Sequence, residues 1–303
     1  MKYKKPLLIV GAGARDMKLD IKMPFLYTWG IKDKYFNHKW AKGDFGVTGS
    51  PQNNKLIKEA DYIIMIGTKM DTHQVPDWNK FAPQAYKVAC CLEFPHEVDE
   101  IIEHGPDVLQ TLKLEGPDWC KRSEENKTDT PVYRWIDELC EKSNKNDIII
   151  PDMGQTGCIA FQRWKIKEGQ RLFNGMNHSP MGYALPGAIG ATLATGKRVI
   201  VIIGDGSLMM NLQDLQTISD LNLPINIFVV NNGGYGMIRQ TQADWKEFLD
   251  QNIATDFNTP NIKKIAKAFN LEYTDRLSNE PSIYGIKFDN TAISPKWKWG
   301  TEL

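Results

Sequence analysis

Two short polar motifs, each placed directly after an apolar run of strand length, constrain the fold of this chain more than any other feature. Gly-Asp-Gly-Ser (204–207) follows the run RVIVII, and Asn-Asn (231–232) follows the run INIFVV. Runs that are apolar on both faces are typical of central parallel strands. Because a right-handed crossover returns the second strand parallel to the first, Asp205 and Asn232 are predicted to emerge at the same edge of one sheet.

The segment between the two motifs has the composition of a crossover helix. The sequence predicts one continuous helix from Ser207, as the N-cap, to about Leu221. At 1.5 Å per residue this helix would be roughly 20 Å long, enough to return the chain to the opposite edge of the sheet. Ligands of open α/β sheets bind at the carboxyl edge of the strands, so this edge is the predicted site.

Short apolar runs alternate with helix-like segments along the whole chain, which predicts the α/β fold class. We expect two three-layer α/β domains with mainly parallel sheets. The first domain is predicted at 1–108 and the second at 131–303. Residues 109–130 are charged and contain Gly-Pro, which is typical of a linker between domains.

Composition narrows the class of protein. The chain of 303 residues is 42% hydrophobic, and its 37 Lys and Arg balance 37 Asp and Glu. This predicts a folded protein with no nucleic-acid partner. The apolar runs are far shorter than the ~18 residues of a membrane span, so no membrane association is expected. Five cysteines without a C-x-x-C pair indicate reduced thiols in a cytoplasmic protein.

The residue types at the predicted edge suit a cation and a phosphate. The Asp205 carboxylate and the Asn232 amide oxygen are ligands that Mg²⁺ prefers. Backbone N–H groups of Gly206 and Ser207 open the predicted helix, where an anion is favoured. A divalent cation beside a helix N-terminus is the arrangement expected for a diphosphate. The alternative is structural, with 204–207 as a turn and N-cap and 231–232 as a second turn.

This span resembles the thiamine-diphosphate-binding motif, in which GDG is followed by a helix and then by NN. The segments MGYALPGAIGA (181–191), PDMGQTGC (151–158) and NNGGYGMIRQTQ (231–242) resemble their counterparts in the acetolactate synthase and pyruvate decarboxylase superfamily. Residues 1–108, with GDFGVTGS and ADYIIMIGTKMD in order, resemble a shortened, Rossmann-like middle domain of that family. The resemblance covers nearly the whole chain.

The resemblance implies a role for each matching position. Asp205, Asn232 and the carbonyl of Gly234 would bind Mg²⁺. Met181 would bend the cofactor, and the carbonyl of Ser179 would contact its amino group. The alternative for Met181 is ordinary core packing. The full set of implied cofactor-binding residues is Gly154, Gln155, Thr156, Ser179, Met181, Gly204, Gly206, Ser207, Asn232, Tyr235, Gly236 and Met237.

The resemblance also implies an activity and a missing part. Family members act on small 2-keto acids such as pyruvate, with a catalytic Glu from a pyrimidine-binding domain that has no counterpart in this sequence. A split enzyme is therefore expected, completed by a pyrimidine-domain polypeptide, a homo-oligomer or both. The alternative is a truncated, non-catalytic cofactor-binding or regulatory subunit. Only about ten residues separate GAGAR from the next predicted strand, too few for the usual crossover helix, which argues against FAD. GAGARD (11–16) also lacks the third glycine of a dinucleotide fingerprint, which indicates a tight turn.

Overall fold

The computed structural model describes residues 3–71, 74–90, 94–102, 114–176, 178–244 and 258–295. The chain divides into two units, the first formed by residues up to Asn126 together with the segment from Pro295, and the second by Lys127–Ser294. The end of the predicted first domain, 103–108, and the start of the predicted linker, 109–113, lie outside the described residues. In the described part of the chain, no helix is long and apolar enough to cross a bilayer.

The first unit contains a sheet of six parallel strands in the order β3-β2-β1-β4-β5-β6. Its strands are β1 (Pro6–Val10), β2 (Phe25–Tyr27), β3 (Ala41–Gly43), β4 (Tyr62–Ile66), β5 (Tyr86–Cys90) and β6 (Glu100–Ile102). The α-helices among its described residues are α1 (Lys32–Tyr35) and α2 (Pro51–Glu59). Alternate residues of β1 enter different cores, Leu8 and Val10 in one and Leu7 and Ile9 in the other. Both faces of this sheet are therefore covered.

The second unit contains another six-stranded parallel sheet, in the order β11-β12-β10-β9-β7-β8. Its strands are β7 (Ile148–Pro151), β8 (Arg171–Leu172), β9 (Val199–Gly204), β10 (Ile225–Asn231), β11 (Glu272–Tyr273) and β12 (Ser282–Lys287). Its helices are α3 (Pro131–Lys142), α4 (Gln155–Arg163), α5 (Ala184–Thr195), α6 (Asp205–Leu208), α7 (Asp214–Asp220), α8 (Gly236–Asp244) and α9 (Ile262–Ala268). The predicted fold class, two three-layer α/β domains, is confirmed.

Of the described residues in the predicted linker, 114–126 belong to the first unit and 127–130 to the second. The indole Nε1 of Trp119 donates a hydrogen bond to the Pro6 carbonyl at 2.7 Å. Asp118 accepts one from the buried Lys42 ammonium group at 2.6 Å. These contacts hold a polar segment, which composition alone suggested was a connection, against the sheet of the first unit.

The prediction of one continuous helix over 207–221 is wrong. The chain forms the four-residue α6, then a turn, then α7. The turn is held by a distant segment, because Nδ2 of Asn211 donates a hydrogen bond to the Gly182 carbonyl at 3.0 Å. Ser207 lies inside α6, and the N-cap position belongs to Gly204. A tertiary contact here overrides the local helix signal.

Candidate functional site

The predicted site lies where the strand order of the second sheet reverses. From β7 the chain passes to β8 on one side, and then to β9 and β10 on the other. Register pairs Pro151 with Ile202 and Val230 with Gly204, so β7, β9 and β10 end together. Such a topological switch point opens a crevice outside the carboxyl ends of the strands, where ligands of α/β proteins bind. The sequence-predicted motifs therefore meet at the carboxyl edge of this sheet.

Glycines leave open space at this edge. A Cβ atom added to Gly204 would meet no atom within 4 Å, and the same is true of Gly154. Gly154 also has φ 119° and ψ −171°, a conformation that other residues rarely adopt. It stands at the N-cap of the nine-residue α4, whose first N–H groups have no partner within the helix. This corner provides both room and donors for an anionic group.

Asp205 is buried at the end of β9, with 1% of its surface exposed. Its Oδ1 accepts a hydrogen bond from the Gly206 N–H at 2.9 Å, and its Oδ2 accepts one from the Thr259 hydroxyl at 2.6 Å. The same hydroxyl lies 3.2 Å from Oδ1 of Asn231. Thr259 therefore joins the ends of β9 and β10. Its position after α8 gave no sequence signal for this contact.

Asn232 is held by side chains from two distant segments. Its Nδ2 donates to the Thr291 hydroxyl at 2.6 Å and approaches Oε1 of Gln155 at 3.4 Å. A Cβ atom added to Gly236 would lie 2.1 Å from Oε1 of Gln155, so only glycine allows this approach. Among the described residues, Oδ1 of Asn232 accepts no hydrogen bond and is free for a ligand.

Asp152 organises the site, and the sequence reasoning missed it. Its carboxylate accepts hydrogen bonds from the N–H groups of Gly182, at 3.0 Å, and Ala184, at 2.8 Å. The Ser207 hydroxyl donates a further hydrogen bond to it. Burial raises the pKa of the Asp152 carboxyl above its ordinary value, against the opposing effect of these hydrogen bonds. One buried acidic side chain thus ties together three site segments. Its only sequence signal is a carboxylate directly after an apolar strand.

The segment before α5 brings Ser179 and Met181 to the same edge. Ser179 has φ 50°, and its hydroxyl donates to the Met176 carbonyl at 2.8 Å. Met181 is half-buried. A Cβ atom added to Gly182 would lie 2.8 Å from the Cβ of Met210, which fixes how closely this segment approaches the turn after α6.

The other predicted residues lie at the same strand ends. Gln155 and Thr156 are buried in the first turn of α4, and Gly206 and Ser207 are buried in α6. Gly234 has φ 134° in the loop after β10, and Tyr235, Gly236 and Met237 lead from it into α8. The carbonyls of this loop are held by Arg239, which donates to the Asn232 carbonyl at 2.8 Å and to the Gly233 carbonyl at 3.2 Å.

The donor set at this edge fits Mg²⁺ and a diphosphate. A carboxylate, an amide oxygen and a backbone carbonyl are hard oxygen ligands of the kind Mg²⁺ takes when it also binds phosphate. Within the described ranges, no group of three or more His, Cys, Asp or Glu side chains could hold a metal ion. The Nδ2 of Asn174 lies 2.9 Å from the sulfur of Met153, and its buried Oδ1 has no hydrogen-bond partner among the described residues.

Comparison with known families agrees with this geometry. Residues 152–283 match the family described as thiamine pyrophosphate enzyme, C-terminal TPP binding domain. Residues 1–106 match thiamine pyrophosphate enzyme, central domain. Together these matches cover most of the chain. The chain belongs to the thiamine pyrophosphate enzyme family.

Curated relatives of this chain include acetolactate synthase large subunits. The protein from Lactococcus lactis is 27% identical over 92% of this chain and 54% of its own length. Isozyme 1 of Escherichia coli is 26% identical over 91% of this chain and 54% of its own length. A probable large subunit from Methanocaldococcus jannaschii is 28% identical over 95% of this chain and 57% of its own length. The chain therefore spans about half the length of the relatives it matches.

Proposed function

We propose that this chain binds thiamine diphosphate and Mg²⁺ at the carboxyl edge of β7, β9 and β10. The metal ligands are Asp205, Asn232 and the Gly234 carbonyl. The observation that carries this proposal is the open corner at Gly154 and Gly204, flanked by a buried carboxylate and a free amide oxygen. The complete set of cofactor-binding residues is Gly154, Gln155, Thr156, Ser179, Met181, Gly204, Gly206, Ser207, Asn232, Tyr235, Gly236 and Met237.

The donors for the diphosphate come from two segments. The first turn of α4, at Gln155 and Thr156, supplies N–H groups of a nine-residue helix. Gly206 and Ser207 add N–H groups from α6, whose four residues give only a small helix dipole. The main electrostatic attraction for the anion is therefore assigned to α4 and the cation.

The proposed activity is the decarboxylation of a small 2-keto acid such as pyruvate. Carbon dioxide leaves, and the acyl-anion equivalent that remains takes up a proton or adds to a second carbonyl. Bound thiamine diphosphate supplies the electron sink for this chemistry. The chain would act as an acetolactate synthase-like lyase or transferase, and FAD is not part of the proposal. Support comes from the family and from relatives named as acetolactate synthase large subunits. The residues named above hold and orient the cofactor.

The proposed partner is a pyrimidine-binding domain that supplies the catalytic Glu. The two matched families describe a central and a C-terminal domain, and the curated relatives are about twice as long as the part matched here. We propose that a separate cytoplasmic polypeptide completes the site, in an assembly with more than one copy of this chain. Its size would be roughly that of an ordinary domain.

Cofactor binding can be tested on the purified chain. Thiamine diphosphate is titrated by calorimetry with Mg²⁺ and with EDTA. We expect Mg²⁺-dependent binding that Asp205→Ala abolishes. Asp220→Ala is the matched control, because that aspartate is exposed at the end of α7. Cofactor binding that is unchanged in Asp205→Ala would remove the metal assignment.

Turnover is tested by following pyruvate loss with and without an added pyrimidine-binding-domain polypeptide. We expect activity only with the partner. Persistent inactivity with intact Mg²⁺-dependent cofactor binding would favour the alternative, a non-catalytic cofactor-binding or regulatory subunit.

A further inference from the structure

A chain of hydrogen bonds connects the backbone of Ile293 to the side chain of Asn232. Its first two bonds, between Ile293 and Gln240, allow only one orientation of the Gln240 amide. The Ile293 N–H donates to Oε1 of Gln240 at 3.0 Å, and the Ile293 carbonyl accepts from Nε2 of Gln240 at 3.0 Å. A backbone N–H can only donate and a carbonyl can only accept. The Gln240 amide therefore cannot be turned over without losing both bonds.

The orientation of the Gln240 amide determines the donor and acceptor in each of the next hydrogen bonds. Because Oε1 of Gln240 is an acceptor, it is Nε2 of Gln155 that faces it, at 2.8 Å. Oε1 of Gln155 must then accept, and the hydroxyl of Thr291 donates to it at 2.6 Å. The single O–H of Thr291 is used there, so its oxygen is left to accept from Nδ2 of Asn232 at 2.6 Å.

Burial makes this direction hard to reverse. Thr291 is 3% exposed and Gln155 is 7% exposed, so water has little access to replace a missing partner. If the Asn232 amide were turned over, its oxygen would replace its NH₂ group in both contacts. This oxygen would then face the Thr291 oxygen and Oε1 of Gln155, which are both acceptors. An unsatisfied buried polar group costs about 1–3 kcal/mol. The orientation of the Asn232 amide is thus determined by a backbone group 61 positions along the sequence.

We infer that Thr291 and Gln155 are positioning residues, which hold the Asn232 amide so that its oxygen faces the cation site. This inference rests on the proposed function, since the cation belongs to it. Neither residue is among the proposed metal ligands, which are Asp205, Asn232 and the Gly234 carbonyl. Hydrogen bonds that orient a ligand typically change metal affinity 10–100-fold when they are removed.

The test compares Thr291→Val with Thr291→Ser. Valine removes the hydroxyl with little change of shape, whereas serine keeps it. Mn²⁺ affinity in the presence of thiamine diphosphate is measured by electron paramagnetic resonance on the full chain. We expect at least 10-fold weaker Mn²⁺ binding for Thr291→Val and values within 2-fold of wild type for Thr291→Ser. Thr274→Val, in the partly exposed loop after β11, is the matched control and should bind as wild type.

A second readout needs no cation. The side-chain NH₂ resonances of Asn232, assigned by NMR, should exchange slowly in wild type and in Thr291→Ser, and faster in Thr291→Val. If Thr291→Val binds Mn²⁺ as wild type does, the inference is wrong, whatever the exchange rates. If wild type itself shows no Mn²⁺-dependent binding of thiamine diphosphate, the proposed function fails and this inference fails with it.

Discussion

The two units have the same kind of sheet but differ at the point where the strand order reverses. In the first unit a glycine there allows two turns to pack closely, whereas in the second unit glycines leave open space. In the first unit this point lies between β1 and β4, which are followed by Gly11 and Gly67. A Cβ atom on Gly11 would lie 2.3 Å from the Gly67 carbonyl oxygen. In the second unit it lies between β7 and β9, and Cβ atoms on Gly154 or Gly204 would meet nothing within 4 Å.

This difference separates a closed switch point from an open one. In the first unit the two turns fill the crevice themselves, since the Gly13 N–H donates to the Gly67 carbonyl at 2.9 Å. In the second unit the corner stays free and is surrounded by Asp205, Gln155 and Asn232. Topology alone therefore does not make a ligand site; the space left by the turns decides which switch point can hold one.

The largest expected effect is that of Gly11→Ala, which tests the closed switch point. Gly11 has φ −110° and ψ 177°, values that alanine adopts without strain, so any loss comes from the contacts with Gly67 and Thr68. We expect a loss of about 3 kcal/mol in the free energy of unfolding, the upper end for an overpacked position. Urea denaturation measures it, and hydrogen exchange should localise the loss to peptides of β1 and β4. Unchanged stability would mean that this switch point is not closed in solution.

Gly204→Ala is the matched variant for the open switch point, and its effect should fall on binding. Gly204 also has an extended conformation, with φ −72° and ψ 155°. Because alanine restricts the unfolded chain and meets no atom here, stability should stay equal or rise by up to about 1 kcal/mol. The added methyl takes space proposed for the diphosphate, so thiamine diphosphate should bind at least ~10-fold more weakly, or about 1.4 kcal/mol. Wild-type affinity in this variant would contradict the placement of the diphosphate.

Features with a local signal could be predicted from the sequence. The apolar runs before 204–207 and 231–232 predicted two adjacent parallel strands that end together, and the structure has them as β9 and β10. Each run is short and bounded by turn residues, so the pattern determines both the type of element and its end.

Features that depend on distant contacts could not be predicted. The helix expected at 207–221 is interrupted because Asn211 bonds to Gly182, 29 positions away. The contact between Gln155 and Thr291 spans 136 positions. Asp152 gave no motif that reveals its hydrogen-bond donors. Nothing in the local pattern encodes such partners, so the orientation of the site had to come from the structure.

The smallest expected effect is a pH dependence of the free energy of unfolding, caused by Asp152 in the second unit. Because burial raises the pKa of Asp152, the folded protein holds this proton to a higher pH than the unfolded chain does. Its contribution to stability is therefore fully present below the unfolded-state pKa, about 3.9, and is lost as pH rises through the folded-state value. Asn at this position cannot titrate. The free energy of unfolding of wild type minus that of Asp152→Asn should thus fall with rising pH and then become constant.

Urea denaturation from pH 3.5 upward measures this difference, with hydrogen exchange of β7 and β9 peptides to assign it to the second unit. Asn also accepts fewer hydrogen bonds than a carboxylate, so the variant is expected to be less stable at every pH. This loss of hydrogen bonds adds the same amount to the difference in free energy of unfolding at every pH. The change of that difference with pH is therefore unaffected. A difference that rises with pH would mean that the hydrogen bonds from Gly182, Ala184 and Ser207 outweigh burial. The Asp152 carboxylate would then be stabilised as an anion at the end of β7.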